Sequence, residues 1–299
     1  MSGILVATHG GSGADGAVRI GSRLAARLGT ALHIVGAVEP TEVIDYGFGA
    51  MVVDAESEET VRSRIREQLH RVGIGGDETI DIVSGAPAAA IAATSQWLEV
   101  DLVVTGQGRR SLLDRTIGGE TVLDLLQTSA VPMLTVAPDA RALPRTIVAA
   151  VDHTTASLRA TQVVAGWLVP GDALHLVHVR ASAFLPDDLA GVSAESRLET
   201  YANSLNVPVG VRVDAAIITG DPARAILERA AGVQADLIAL GSHGYGAWKR
   251  LALGSVSSKV IRHARRSVLV APSGCVHHVR PVGRVGEARS VGEHVLTVG

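Results

Sequence analysis

The stretch that decides the fold runs from residue 237 to 272: Leu237-Ile-Ala-Leu-Gly-Ser-His-Gly-Tyr-Gly-Ala-Trp-Lys-Arg-Leu-Ala-Leu-Gly-Ser-Val-Ser-Ser-Lys-Val-Ile-Arg-His-Ala-Arg-Arg-Ser-Val-Leu-Val-Ala-Pro272. Residues 237–240 form a short, continuous apolar run, which reads as a strand buried on both faces. It stops at the glycine loop Gly241-Ser-His-Gly244. After nine residues comes Gly254-Ser255, and Val256, Val260 and Ile261 then recur at helical spacing. A second apolar run, 268–271, ends at Pro272. The unit is strand, glycine loop, helix, strand. Such a unit suits an anion, because glycines admit close backbone approach and a helix start offers unpaired N–H groups. Hydroxyls on Ser255, Ser257 and Ser258 add donors. The helix dipole alone contributes roughly 0.3–1 kcal/mol, so a ligand needs a pocket for a larger group as well.

The chain as a whole carries this alternation in two copies, one per half, and the quoted stretch closes the second. Residues 4–8 and 147–151 are matching first strands, followed by His9 in one case and Asp152 in the other. Ala31-Leu-His-Ile-Val35 answers Ala173-Leu-His-Leu-Val177, and Gly85-Ala-Pro-Ala88 answers Gly220-Asp-Pro-Ala223. Asp101-Leu-Val answers Asp236-Leu-Ile, and Pro138 answers Pro272. A helix is expected over 14–28 with Gly29 as its stop, a loop over 39–50, and a helix over 51–72. The expected division is 1–139, 146–272 and a tail, 273–299, that fits neither copy. Alternating strands and helices imply an α/β fold with parallel sheets and right-handed crossovers.

Composition supports this. Of 299 residues 47% are hydrophobic and only 3% aromatic, so aliphatic side chains must fill the core. A net charge of −3 gives no electrostatic argument for nucleic acid. Lone Cys275 rules out an intramolecular disulfide framework and fits a reducing compartment. The start shows no leader pattern, and no window is apolar enough to span a membrane. A soluble, cytoplasmic protein without membrane or nucleic-acid partners is therefore expected.

Gly241-x-x-Gly244, nine residues, then Gly254-Ser255 resembles the ATP-binding motif of the universal stress protein family. Residues 1–272 as a whole resemble two copies of that family's domain in tandem. The resemblance implies two open, Rossmann-like parallel sheets, each with strand order 3-2-1-4-5, and a ligand crevice where that order reverses. It places Asp152 beside adenine and ribose, with Ala150 and Val179 as adenine contacts. It places Gly241, His243 and Gly244 around ribose and phosphates, and Gly254, Ser255, Val256 and Ser257 on the phosphate tail. The implied ligand is ATP with Mg2+. The implied role is that of a nucleotide-dependent stress-response regulator acting by binding, either as a homodimer or as an internal pseudo-dimer. A slow ATPase and an interaction module without nucleotide stand as alternatives.

In the first copy His9 replaces the acid, Gly106-Gln-Gly108 is a residue shorter, and Gly119-Glu120 replaces Gly254-Ser255. A structural, non-binding copy is expected there. No Walker loop or dinucleotide fingerprint occurs. His175, His178, His277 and His278 lack the further ligands a metal site needs. Tyr245 and Trp248 are read as packing or partner contacts. No residue is assigned a catalytic role.

Overall fold

The computed structural model describes residues 2–39, 42–45, 50–53, 56–75, 78–107, 119–180, 193–242 and 254–273. The first half runs β1 (Gly3–Ala7), α1 (Asp15–Leu28), β2 (Ala31–Val38), β3 (Glu42–Asp45), β4 (Ala50–Val53) and α2 (Glu58–Val72), then β5 (Ile80–Ser84), α3 (Pro87–Trp97), β6 (Leu102–Gly106), α4 (Gly119–Thr128) and β7 (Met133–Val136). The second half runs β8 (Thr146–Ala150), α5 (Thr155–Ala165), β9 (Ala173–Arg180), α6 (Ala194–Ser204) and β10 (Arg212–Thr219), then α7 (Pro222–Gly232), β11 (Leu237–Gly241), α8 (Ser255–His263) and β12 (Ser267–Ala271).

Local chemistry sets these bounds. Helix α1 ends at Gly29 and α2 at Gly73, both in the left-handed conformation that a Cβ disfavours. Ser57, Thr154, Ser193 and Asp221 cap α2, α5, α6 and α7 through their side chains, and Pro87 and Pro222 open α3 and α7. The central strands β1 and β12 are buried at every position, as continuous apolar runs between two helical layers should be.

The segment 39–57 departs from expectation. Strands β3 and β4 form an antiparallel hairpin where a loop was expected, and α2 starts at Glu58 instead of residue 51. The apolar run Ala50-Met-Val-Val53 extends against Glu42-Val-Ile-Asp45, while the Ser57 cap and the acidic first turn Glu58-Glu59 fix where the helix begins.

Each half has the order third-second-first-fourth-fifth strand, all parallel. The two halves then join. Strand β7 pairs antiparallel with β12 through Thr135↔Val268, Leu134↔Leu269 and Met133↔Val270, making one ten-stranded sheet. The fifth-strand edges are thus satisfied within the chain, as a pseudo-dimer. Helices α1, α2, α5 and α6 cover one face and α3, α4, α7 and α8 the other, and each layer's core draws residues from both halves. Arg27 of α1 donates to Trp167 O in the second half, and Arg19 and Arg23 donate to Ala140 O and Arg141 O in the segment that joins the halves. The antiparallel join points the C-terminal ends of the two sets of parallel strands in opposite directions, so the two crevices open at opposite edges of the sheet.

Candidate functional site

In the second half the strand order reverses between β8 and β11. These strands pair only through Ile147↔Leu237, Val148↔Ile238 and Ala149↔Ala239. Beyond that point Ala150 and Asp152 leave one side, and Gly241 and Ser242 the other. Open α/β sheets take ligands in such a crevice.

Packing accounts for the glycine at 241. A Cβ there would stand 2.7 Å from both the Ala156 Cβ and the Ser157 backbone nitrogen, at the first turn of α5. The first half repeats the arrangement, with a Cβ on Gly106 meeting the Ala14 Cα and Gly13 O at 3.2 Å. The absent side chain lets the fourth strand close on the segment after the first, which brings the backbone of both to the floor of the crevice.

The loop after β8 is knit by Asp152. Its Oδ1 accepts from Thr154 N at 3.0 Å and from Thr154 Oγ1 at 2.6 Å, and Thr154 in turn caps α5 by accepting from Ser157 N. The Asp152 amide donates to Ser157 Oγ at 3.3 Å. Among the described residues Oδ2 carries no hydrogen bond, so a half-buried carboxylate is held in place with one oxygen to offer. Beside it, His178 shares a 2.7 Å hydrogen bond through Nδ1 with Val151 O, and its ring lies 5.6 Å from that of His153.

Ala150 and Val179 are partly buried and pack against the core beneath α7 and α8, as does Val256. Ile218 joins them: it pairs with Val179 in the β10–β9 register and lies on the same face. Sequence reading missed it, because its place beside Val179 depends on the pairing of two strands about forty residues apart.

Helix α8 opens at Gly254, which has extended backbone and no side chain with which to cap. Gly254 N donates to Ser242 O at 2.7 Å, and the first intrahelical donor is Ser258 N, at 2.9 Å from Gly254 O. The amides of Ser255, Val256 and Ser257 precede it and have no intrahelical acceptor. Ser255 is exposed, whereas Ser257 is buried and donates its hydroxyl to Gly241 O at 2.7 Å. The expected donor role of the Ser257 hydroxyl is therefore corrected. Its proton pins α8 to the end of β11, and only its amide is left for a ligand. On the next turn Lys259 lies 3.8 Å from Asp221, whose other oxygen caps α7. His243 and Gly244 lie outside the described residues.

The first half is built differently. Its loop after β1 is tied to α2. Gly10 has φ +85°, and a Cβ there would come within 2.7 Å of the Arg64 backbone. Fully buried Gln68 accepts from Thr8 Oγ1 at 2.7 Å and donates to Gly11 O at 2.9 Å and to Asp15 at 3.0 Å. Arg71 grips Asp15 with two nitrogens, at 2.9 and 2.8 Å, and reaches Gly10 O. Ala7, the counterpart of Ala150, is only 3% exposed.

This clamp titrates. The Arg71 guanidinium holds the Asp15 carboxyl below its ordinary range, burial opposes this, and Gln68 reinforces it. The folded value lies below the unfolded one, so the contribution to stability is complete above about pH 4 and is lost as pH falls through the folded value. Asp15→Asn should therefore lower stability in urea unfolding at pH 6, and the gap from the unsubstituted protein should narrow as pH falls below about 4. A gap that stays the same width on acidification would mean that packing, not charge, holds the clamp.

The chain is thus a doubly wound α/β unit present twice, and in the second half an uncapped helix start stands by the crevice at the switch point. A sequence profile of the universal stress protein family matches residues 1–137 and again 144–272, and the chain belongs to that family. A universal stress protein of Mycobacterium tuberculosis is 25% identical over 232 residues, covering 68% of this chain and 73% of its own. One from Thermus aquaticus is 49% identical over 59 residues, 20% of this chain and 43% of that protein. Among solved structures, a universal stress protein from Archaeoglobus fulgidus superposes with a TM-score of 0.64 at 21% identity, covering 91% of this chain and 98% of its own. A protein from Pseudomonas aeruginosa gives 0.58 at 15% identity, covering 91% and 93%. These two likenesses bear on the fold. No helix among the described residues is long and apolar enough to cross a membrane.

Proposed function

We propose that the second half binds an adenine nucleotide, with ATP as the ligand, and that the protein acts through its bound state. The observation that carries this reading is the pairing of opposite chemistries across one crevice. At one end, the amides of Ser255, Val256 and Ser257 and the exposed Ser255 hydroxyl offer donors to phosphate oxygens. At the other, Asp152 offers an acceptor, which suits base or sugar donors and would repel phosphate. Between them Ala150, Val179, Ile218 and Val256 supply an apolar wall for a flat ring. The residues present thus fit a nucleotide in one orientation only. Gly241, with its carbonyl fixed by Ser257, forms the floor. His243 and Gly244 complete the phosphate end in this reading, by their place in the motif. A divalent cation such as Mg2+ would accompany the phosphates and offset their charge.

In the first half the same reading assigns no nucleotide. Asp15, Gln68 and Arg71 commit the loop to α2, and His9 stands where the acceptor is needed. That half then serves to close the sheet.

Asp152→Asn tests the assignment. The amide can keep an acceptor toward Thr154 while turning the free oxygen into a donor. A hydrogen bond to a charged group is worth about 1.5–3 kcal/mol, so affinity for both ATP and adenosine should fall roughly ten- to a hundredfold in calorimetric titration. Equal affinities in the two proteins would remove Asp152 from the site.

A further inference from the structure

Helix α8 and the turn that follows it run from the second half's crevice to the first half. Its first turn stands at the second half's crevice, and the turn that follows its last residue is held by the first half. Gln107 comes directly after Gly106 at the end of β6, and its Nε2 donates to Arg266 O at 2.6 Å. Its own amide donates to Val136 O at 3.0 Å, so the side chain departs from a fixed backbone. One residue on, Ser267 Oγ accepts from Ala137 N at 3.1 Å, and Thr135 Oγ1 donates to Val268 O at 3.2 Å.

The antiparallel seam explains why these groups meet. Pairing β7 against β12 sets the C-terminal end of β6, where the first half's crevice lies, beside the N-terminal end of β12. The turn leaving α8 enters β12 at that same edge. At the position equivalent to Gln107 the second half has Ser242, a short and buried side chain. The reach of Gln107 is a feature of the first half.

We infer that α8 couples nucleotide occupancy in the second half to the end of β6 in the first, through the Gln107–Arg266 hydrogen bond. This rests on the nucleotide reading above. The helix has nine residues, about 13 Å at 1.5 Å each, and behaves as a short rod. Phosphates drawn to the amides of Ser255 to Ser257 act on one end. The other end is continuous with the 264–267 turn, where Ala264 N still bonds Val260 O at 2.7 Å. Any displacement of the rod is delivered to Arg266 O, and hence to Gln107 beside Gly106. Such coupling is reciprocal: whatever engages the end of β6 alters affinity at the other crevice by the same factor.

Hydrogen exchange read by mass spectrometry, with and without saturating Mg-ATP, tests this in the unsubstituted protein and in Gln107→Ala. Peptides covering 254–258 should become protected in both proteins. Peptides covering 264–268 should slow in both proteins, whereas those covering 103–107 should slow about fivefold or more in the unsubstituted protein, the lower end of ordinary coupling, and should not respond in Gln107→Ala. Protection at 254–258 with no response at 103–107 would overturn the coupling and leave nucleotide binding standing. So would a response at 103–107 that persists in Gln107→Ala, because the bond would then carry nothing. Absence of protection at 254–258 in the unsubstituted protein would remove the nucleotide reading and the coupling together.

Discussion

Gly241→Val is expected to destabilise the protein by about 3 kcal/mol, the upper end of the usual cost of overpacking a core. The reason is geometric. A Cβ at 241 falls 2.7 Å from a backbone nitrogen as well as from a methyl group, and a helix start cannot give way as the tip of a long side chain can. Strand β11 would have to part from α5, at the floor of the crevice. In a chain of this size the midpoint of thermal unfolding should drop by roughly 5–10 °C, and nucleotide affinity should fall with it. Gly232→Ala is the matched control. Its added Cβ would meet nothing within 4 Å, and it lies at the end of α7. That change should leave stability unaltered or raise it by about 0.5 kcal/mol through lower unfolded-state entropy. Equal effects of the two substitutions would show that the β11–α5 contact is not the constraint.

Ser255→Glu should separate binding from stability. Position 255 is exposed at the first turn of α8, where a carboxylate interacts favourably with the helix dipole by about 0.3–1 kcal/mol. The apo protein should therefore melt at the same temperature or slightly higher. The same carboxylate would stand among the nucleotide's phosphates. Two unit charges at about 4 Å repel by roughly 4 kcal/mol at the effective dielectric of a protein surface, so ATP affinity should fall at least about a hundredfold. Adenosine, which lacks phosphates, should lose far less. If ATP binds equally well to Ser255→Glu, the phosphates do not lie at this helix start.

Much of this was legible in the residues themselves. Continuous apolar runs such as Leu237-Ile-Ala-Leu240 announce strands buried on both faces, and Gly29 ends its helix where it should. The repeat showed that one description serves both halves. Asp152, Gly241 and Gly254-Ser255, singled out in the sequence, lie after β8, at the end of β11 and at the start of α8. What could not be read depends on partners distant in sequence. The Gly241 side chain is absent because of Ala156 and Ser157, and the Ser257 hydroxyl is consumed by Gly241 O. Ile218 enters only through its register with Val179. The hairpin of β3 and β4 was hidden because Ala50-Met-Val-Val53 precedes an amphipathic helix, and Val53 falls at helical spacing with Val61, Ile65 and Leu69. The clamp formed by Gln68 and Arg71 on Asp15 joins residues more than fifty apart. A polar residue in an amphipathic helix carries no sign of such a destination. The seam between β7 and β12 was likewise one of two possibilities until the pairing was seen.

The asymmetry between the halves follows from these details. One loop after the first strand is organised by its own carboxylate, and the other is fastened to a neighbouring helix. A shared fold therefore does not imply a shared ligand.

The most direct test is calorimetric titration of the nucleotide-stripped protein with Mg-ATP, read for stoichiometry. The account predicts one site per chain. It also predicts that ATP at about a hundred times its Kd adds roughly 2.7 kcal/mol of stability. Two sites per chain would contradict the assignment of the first half, and the absence of both heat and a melting shift would contradict the central claim that the second half binds ATP.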